Sequence, residues 1–213
     1  MFEEFENVHE IDNPIITHKL AQMRDKKTSP KIFRELVEEI AMLMTYEAGK
    51  KFPNHEVEIE TPLMTCRKKV LDEENFIIVP ILRAGLGMAN GAAKILPNAS
   101  IRHIGLYRDE KTHQPVEYYN NMPENISEKI LLVTDPMLAT GGSCSAALKI
   151  LKDSGAKKII LICIVSAPQG IKKILADHSD VEIFTAAIDD GLNENCYILP
   201  GLGDAGDRIF NTL

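Results

Sequence analysis

Five apolar runs alternate with segments of helical patterning, and this alternation constrains the fold of the 213-residue chain more than any other feature. The runs are rich in Ile, Val and Leu: FIIVPIL (76–82), IRHIGLY (101–107), KILLVTD (129–135), KIILICIV (158–165) and VEIFTAA (181–187). Continuous apolar runs of this kind are typical of strands buried on both faces of a parallel sheet. Segments near 85–96, 142–154 and 168–178 fit the crossover helices between such strands. The pattern therefore predicts an α/β fold.

The chain before and after these runs has a different character. Residues 31–48 carry apolar side chains at helical spacing, and Ser29 with Pro30 form a good N-cap and first-turn pair. We expect one domain over residues 1–213, with a parallel-sheet core at about 70–190. The N-terminal helices (about 1–60) and the C-terminal tail (191–213) would pack together as a small cap, or hood, on this core.

Charge and hydropathy exclude several classes of function. The net charge of −7 argues against nonspecific nucleic-acid binding, which depends on Lys and Arg neutralising phosphates. The opening residues, MFEEFENVHEIDNP, lack the basic-then-apolar pattern of a secretory signal, and no apolar run approaches the roughly 20 residues that cross a bilayer. The histidines and cysteines show no metal-binding spacing. We expect a cytoplasmic protein without a membrane or nucleic-acid partner.

The run KILLVTD ends in a carboxylate and leads into a glycine-rich loop. Asp135 closes the run, and the loop passes through Thr140, Gly141, Gly142 and Ser143 into a predicted helix. Small residues, hydroxyls and free backbone N–H groups at a helix start form an anion site. The loop lacks the Gly-Lys-Ser/Thr ending of a nucleoside-triphosphate loop, so a γ-phosphate is not the expected ligand. The alternative is a plain turn between a strand and a helix.

Two further loops follow predicted strands. In PILRAGLGMANG (80–91) the glycine spacing is one residue out of step with a dinucleotide-binding turn, and Arg83 suits direct contact with a phosphate. The alternative for Arg83 is a solvated surface arginine. The polar stretch at 105–129 is long enough for an active-site lid that would bring Arg108 to a phosphate on closure. Its alternative is a solvent-exposed hairpin.

The stretch GLGDAG (201–206) matches the G-x-G-x-x-G spacing of a dinucleotide-binding turn. That turn works by placing a pyrophosphate on the N-terminus of the helix that follows it. Only seven residues follow Gly206, so we expect neither a helix nor a further strand here. The spacing is therefore weak support for a dinucleotide-binding turn.

Taken together, these loops resemble those of the uracil phosphoribosyltransferases over nearly the whole chain, beginning around NPIITHKLAQMRD (13–25). VTDPMLATGGS resembles the family's loop for phosphoribosyl pyrophosphate (PRPP), PILRAGLGM its pyrophosphate loop and YRDEKTHQP its lid. GLNENCYILPGLGDAGDRIF resembles its uracil-binding C-terminus and is the most specific of these motifs. Where the wider superfamily has a pair of acidic residues, this chain has Thr134-Asp135. The uracil branch is similar in having one acid at this place.

The resemblance implies a phosphoribosyltransferase core and a set of site residues. Uracil would bind at Ile198, Gly203, Asp204 and Ala205, and the catalytic residues would be Asp135, Arg108 and Asp204. PRPP would bind at Arg83, Arg108, Asp135, Pro136, Met137, Leu138, Ala139, Thr140, Gly141, Gly142, Ser143 and Asp204.

The implied reaction converts uracil and PRPP to UMP and diphosphate in pyrimidine salvage. The implied cofactor is Mg²⁺, held mainly by PRPP and not by protein ligands. The family also implies a homodimer or higher homo-oligomer, and some relatives are activated by GTP. Two rival hypotheses stay open: a nucleotide-sensing regulator on the same fold, which would need a basic face for RNA, and a dinucleotide-dependent oxidoreductase.

Overall fold

A central, mostly parallel β-sheet organises the protein. The computed structural model describes residues 6–108 and 115–212, without the side chains of residues 106–108 and 115–118. Within these ranges the strands are β1 Val8–Glu10, β2 His55–Glu60, β3 Thr65–Val70, β4 Phe76–Leu82, β5 Ser100–Ile101, β6 Ile104–Arg108, β7 Pro115–Asn120, β8 Ile130–Thr134, β9 Met137–Leu138, β10 Lys158–Ser166, β11 Glu182–Ile188, β12 Gly191–Leu192 and β13 Ile198–Leu199.

The helices of the described ranges lie before, between and after these strands. They are α1 Pro14–Arg24, α2 Pro30–Ala48, α3 Leu86–Ile95, α4 Gly142–Asp153, α5 Pro168–Asp177 and α6 Ala205–Phe210. Short 3-10 turns occupy Gly49–Lys51, Glu73–Asn75 and Ile126–Glu128. None of the helices in the described ranges has the length and apolar character needed to cross a membrane.

The main sheet has the strand order β1-β11-β10-β8-β4-β6-β7, with β5 paired to β4 and β9 paired to β10. All pairings are parallel except that of β6 with β7, which is antiparallel. Strands β4, β8 and β10 in the middle of the sheet are almost wholly buried. The α/β parallel-sheet fold predicted from the apolar runs is confirmed, because each run forms a strand at or next to its predicted position.

Helices cover both faces of the sheet. On one face α1, α2, α3 and the buried side chain of Ile209 in α6 join a single apolar cluster with alternate residues of the central strands. On the other face α4 and α5 pack against the remaining strand residues. Helices α1, α2 and α6 therefore meet on one side of the sheet, and this places the two ends of the chain against each other.

Three features differ from the sequence analysis. Strand β1 (Val8–Glu10) extends the main sheet by pairing with β11, whereas the sequence analysis assigns residues 1–60 to the cap. Strands β2 and β3 form a separate antiparallel hairpin that the apolar runs did not indicate. The stretch predicted as a lid contributes β6 and β7, while residues 109–114 lie outside the described residues.

Candidate active site

The C-terminal ends of β4 and β8 meet beside the chain's C-terminal turn. In an open parallel sheet, ligands bind beyond the carboxyl ends of the strands. Thr134 ends β8, and its Oγ1 donates a hydrogen bond of 3.2 Å to the carbonyl of Gly85 in the loop after β4. A Cβ at Gly85 would overlap the carbonyl oxygen of Thr134. The absence of a side chain at Gly85 therefore lets the two loops pack together.

Asp135 is the first residue after β8, and its side chain is half-buried. Loss of hydration on burial raises the pKa of its carboxyl from 3.8 to about 7, against the opposing effect of a hydrogen bond from the Met137 N–H. The Met137 N–H donates to Asp135 Oδ1 at 3.4 Å. A carboxyl with a strongly shifted pKa at a strand end is a candidate functional group.

We expect Asp135 to make the unliganded protein less stable as the pH rises. The pKa of its carboxyl is about 7 in the folded protein and 3.8 in the unfolded chain, so the folded state holds a proton that the unfolded state releases between about pH 4 and 7. The free energy of unfolding therefore falls as the pH rises through that window. Asp135→Asn is neutral throughout. It should be more stable than the parent at pH 8 by about 2 kcal/mol, because solvent screening of the half-buried side chain reduces the full effect of the shift by about half, and about equally stable near pH 4.

Urea denaturation at pH 8 and pH 4 measures this difference. Asp12→Asn, at an exposed carboxylate, controls for the loss of one negative charge at the surface. A stability gain for Asp135→Asn of the same size at both pH values would contradict the raised pKa.

The glycine-rich loop after β9 turns into helix α4 at Gly141. Gly141 has a φ of 78°, in the left-handed region, and is the N-cap of α4. The Gly142 N–H donates to Thr140 Oγ1 at 3.4 Å, and Ser143 is exposed on the first turn. Backbone N–H groups at a helix N-terminus attract anions. Residues 140–143 therefore form a helix N-terminus at the place where the sequence predicts an anion site, and anion binding there stays a prediction.

Two residues assigned to PRPP binding have buried side chains. Pro136 and Leu138 lie within the protein, and the Leu138 side chain is 1% exposed. The Pro136 carbonyl accepts hydrogen bonds from the N–H groups of Ile164 and Val165, and that of Leu138 accepts one from Ala167. Both residues attach the loop to β10, so we assign them a supporting role.

The C-terminal turn and the residues after β8 line a half-open cavity of about 240 Å³. All four residues assigned to uracil line it, and of these Asp204 is also assigned to PRPP; two further residues assigned to PRPP line it as well. The six are Ile198, Gly203, Asp204, Ala205, Met137 and Ala139. The sequence analysis missed four lining residues: Ala84, Cys196, Tyr197 and Gly206. Ala84 and Gly206 adjoin predicted site residues in the chain. No sequence pattern singles out Cys196 or Tyr197.

A helix follows the GLGDAG turn, so the prediction that none could form there is wrong. Helix α6 begins at Ala205, inside the motif, and Asp204 is its N-cap with Oδ1 accepting from the Asp207 N–H at 2.9 Å. Six residues suffice because Ile209 is buried against α2 and its carbonyl accepts a bond of 3.0 Å from Arg34. The Asp at the N-cap was the signal available in the sequence.

Arg83 lies at the mouth of the site, beside α6. Its guanidinium is 3.7 Å from the Asp207 carboxylate and 5.7 Å from the centre of the Phe210 ring. The side chain is 62% exposed, so it is available to a ligand phosphate. Arg108 ends β6, and its side chain lies outside the described residues.

The site offers no protein cage for a metal ion within the described ranges, where no three His, Cys, Asp or Glu side chains come together. Mg²⁺ commonly binds through one or two carboxylates together with substrate phosphates. Asp135 supplies one carboxylate, which fits the share that the protein would give to a Mg²⁺ ion bound with PRPP.

A mostly parallel sheet, a carboxylate just after a central strand and a glycine-rich loop at a helix N-terminus are features expected of a phosphoribosyltransferase. A family model described as uracil phosphoribosyltransferase matches residues 10–212 of this chain. The chain therefore belongs to the uracil phosphoribosyltransferase family.

Individual relatives agree with this assignment. The chain is similar to the uracil phosphoribosyltransferase of Clostridium tetani, with 57% identity over 96% of this chain and 98% of the relative. It is also similar to that of Dictyoglomus thermophilum, with 56% identity over 95% and 98% of the two chains. Among solved structures, the AQ2163 protein from Aquifex aeolicus matches with a TM-score of 0.90 and 38% identity, over 95% of this chain and 97% of that one.

Proposed function

We propose that this chain transfers the phosphoribosyl group of PRPP to N1 of uracil, giving UMP and diphosphate, at the cavity between the GLGDAG turn and the residues after β8. The observation that carries this proposal is the cavity itself. It joins the turn that resembles the family's uracil-binding segment to Met137 and Ala139 of the segment that resembles its PRPP loop. Both substrates would therefore meet there, with the base on the turn.

The backbone of the turn would recognise the base. Uracil presents two carbonyl acceptors with an N–H donor between them, and backbone groups around Ile198 and Gly203–Ala205 can match this pattern in the plane of the ring. Cytosine reverses two positions, so buried groups would lose their partners. Such a mismatch costs on the order of 10⁴-fold in kcat/KM.

The other site residues would act on PRPP. The N–H groups of 139–143 would hold the 5′-phosphate, and the Asp135 carboxylate would contact the ribose hydroxyls. As the bond from C1′ to the diphosphate breaks, positive charge builds on the ribose and negative charge on the leaving group, where Arg83 and Arg108 would stabilise it. Mg²⁺, when bound, would neutralise charge on the diphosphate.

Asp204 is the carboxylate of the base-binding turn. Uracil N1 loses its proton as it bonds to C1′, and we assign the acceptance of this proton to Asp204. Its Oδ1 holds the N-cap bond of α6, which leaves Oδ2 for the proton.

One assay tests the reaction: release of diphosphate with Mg²⁺-PRPP and uracil, cytosine or hypoxanthine as the base. Turnover with uracil alone supports the proposal. Equal turnover of all three bases, or of none, would overturn it. The same assay with and without GTP tests the effector that the resemblance implies, and RNA binding by the protein would favour the regulator hypothesis.

We expect Arg108→Ala to lower kcat by about 10-fold or more and to raise the KM for PRPP much less. The reason is that the segment after β6 would engage the diphosphate as negative charge develops on it. Steady-state kinetics with varied PRPP measures the split.

Arg102→Ala is the matched control for Arg108→Ala, because Arg102 is an arginine nearby in the chain whose Nη1 donates to the Asn121 carbonyl at 3.3 Å. It should leave kcat unchanged. A raised KM with an unchanged kcat for Arg108→Ala would reduce the role of Arg108 to substrate binding.

The proposal includes assembly in two or more copies and a cytoplasmic location. Supporting the assembly, the β2–β3 hairpin lies off the main sheet, and at its tip Leu63 is 95% and Met64 66% exposed. A two-stranded hairpin alone is marginally stable in water, so an apolar tip favours a partner chain. Sedimentation velocity measures the mass of the particle, and cell fractionation the location.

A further inference from the structure

We propose that Arg24 and Asp189, which lie outside the cavity, are positioning residues that hold the base-binding turn in the form that accepts uracil. This inference rests on the proposed placement of uracil at the GLGDAG turn. It adds two residues that the sequence analysis did not single out, one at the end of α1 and one just after β11.

The two side chains form a bidentate ion pair. Arg24 Nη1 lies 2.7 Å from Asp189 Oδ2, and Nη2 lies 2.6 Å from Oδ1. The Asp189 side chain is 6% exposed and that of Arg24 23% exposed. Bidentate guanidinium–carboxylate pairs combine strength with a fixed geometry. The pair therefore sets the distance between α1 and the segment that follows β11.

Both polar backbone groups of Gly201 bond to this pair. The Gly201 N–H donates to Asp189 Oδ2 at 2.8 Å, and the Gly201 carbonyl accepts from Arg24 Nη1 at 2.7 Å. Gly201 opens the GLGDAG turn with a φ of 59°, and a Cβ there would overlap the Ile198 carbonyl. The ion pair thus binds the residue at which the chain reverses toward the cavity.

The turn is held from the same helix end at a second point. Arg208 Nη1 donates to the carbonyls of Leu202 and Met23, at 2.7 and 2.8 Å, and its guanidinium lies 4.2 Å from the centre of the Phe33 ring. Leu202 separates Gly201 from Gly203, the first cavity-lining residue of the turn. Two successive carbonyls are therefore held by arginines, and little freedom is left for the backbone that would read the base.

Such an arrangement predicts an effect on one substrate only. The ion pair contacts the turn and not the 139–143 loop, so its loss should weaken uracil binding and leave PRPP binding intact. It should also weaken discrimination against cytosine, because a mobile turn can pair with the reversed pattern. A purely structural ion pair would lower the stability of the whole protein and affect both substrates equally.

The test measures KM for uracil, KM for PRPP and the ratio of kcat/KM for uracil and cytosine in four variants: Arg24→Ala, Arg24→Lys, Asp189→Asn and the double variant Arg24→Ala/Asp189→Ala. The double variant leaves no unpaired buried charge and stays informative if a single variant misfolds. We expect KM for uracil to rise by about 10- to 100-fold, as for the loss of buried charged hydrogen bonds, and KM for PRPP to change less than about 2-fold.

Two comparisons give the test its specificity. Arg24→Lys keeps the charge and should recover part of the uracil affinity, although one ammonium cannot replace the guanidinium geometry. Lys19→Ala is the matched control, because Lys19 also lies on α1 but pairs with Glu39 of α2 at 2.6 Å. It should change neither KM.

Two results would overturn the inference: equal changes in both KM values, or unchanged uracil KM and base preference in the folded double variant. Failure of the proposed function is distinguishable, because a turn that does not bind uracil would tolerate changes at Gly203 as well. If KM for uracil changes in Gly203→Val but not in the ion-pair variants, this inference is wrong and the proposed function stands.

Discussion

Asp135→Asn is expected to fold and to lose turnover by about 100-fold or more. The carboxylate would face the ribose as positive charge develops there, and removal of one such preorganised charge typically costs two to three orders of magnitude in kcat. The substitution keeps the size of the side chain. Turnover of uracil with saturating Mg²⁺-PRPP measures the loss.

The control for Asp135→Asn is a carboxylate at the C-terminal end of helix α4. Asp153→Asn removes an exposed carboxylate that pairs with Lys149, and it should retain full turnover. Circular dichroism and thermal melting verify that both variants are folded. Near-normal turnover in a folded Asp135→Asn protein would remove Asp135 from the site.

Gly203→Val is expected to raise the KM for uracil by about 100-fold while the affinity for PRPP changes less than about 2-fold. Gly203 has a φ of 79° and lines the cavity, so a β-branched side chain there strains the turn that would bind the base. Most residues assigned to PRPP, including all of those at 135–143, lie outside the turn, so PRPP binding should largely persist. Kinetics for uracil and calorimetry for PRPP measure the two separately.

The matched control for Gly203→Val is Gly155→Val. Gly155 also has a positive φ, 103°, but it follows α4 and a Cβ there would lie 3.6 Å from Ile126. Its substitution should lower stability without changing the KM for uracil. Equal loss of uracil and PRPP binding in Gly203→Val, or no loss of uracil binding, would refute the placement of the base at this turn.

Strands buried on both faces were predictable because they consist almost entirely of apolar residues. The run at 76–82 forms β4 with the same bounds, and the run at 158–165 forms β10 one residue longer. The loops at the ends of β4 and β8 drew attention because Arg83, Asp135 and the glycines near 141 suit a phosphate site, and their roles stay predictions.

Elements that depend on distant partners were not predictable from local patterns. Strand β1 is three residues long and exists because the edge of β11 accepts it. Helix α6 is short and owes its stability to α2 and to Arg34. Arg24 and Asp189 are separated by 165 residues, and nothing in either neighbourhood indicates that they form a pair.

The contacts of the GLGDAG turn have a consequence for how the protein is made. Gly201 is fixed by Arg24 across 177 residues, and Arg208 reaches Met23 across 185. Contacts this distant in sequence form late in folding, because a long loop must close before they stabilise anything. On the ribosome, residues 1–200 emerge before the turn does, and they already contain Asp135 and the 139–143 loop. A nascent chain could therefore acquire its PRPP loop first and its selectivity for the base last.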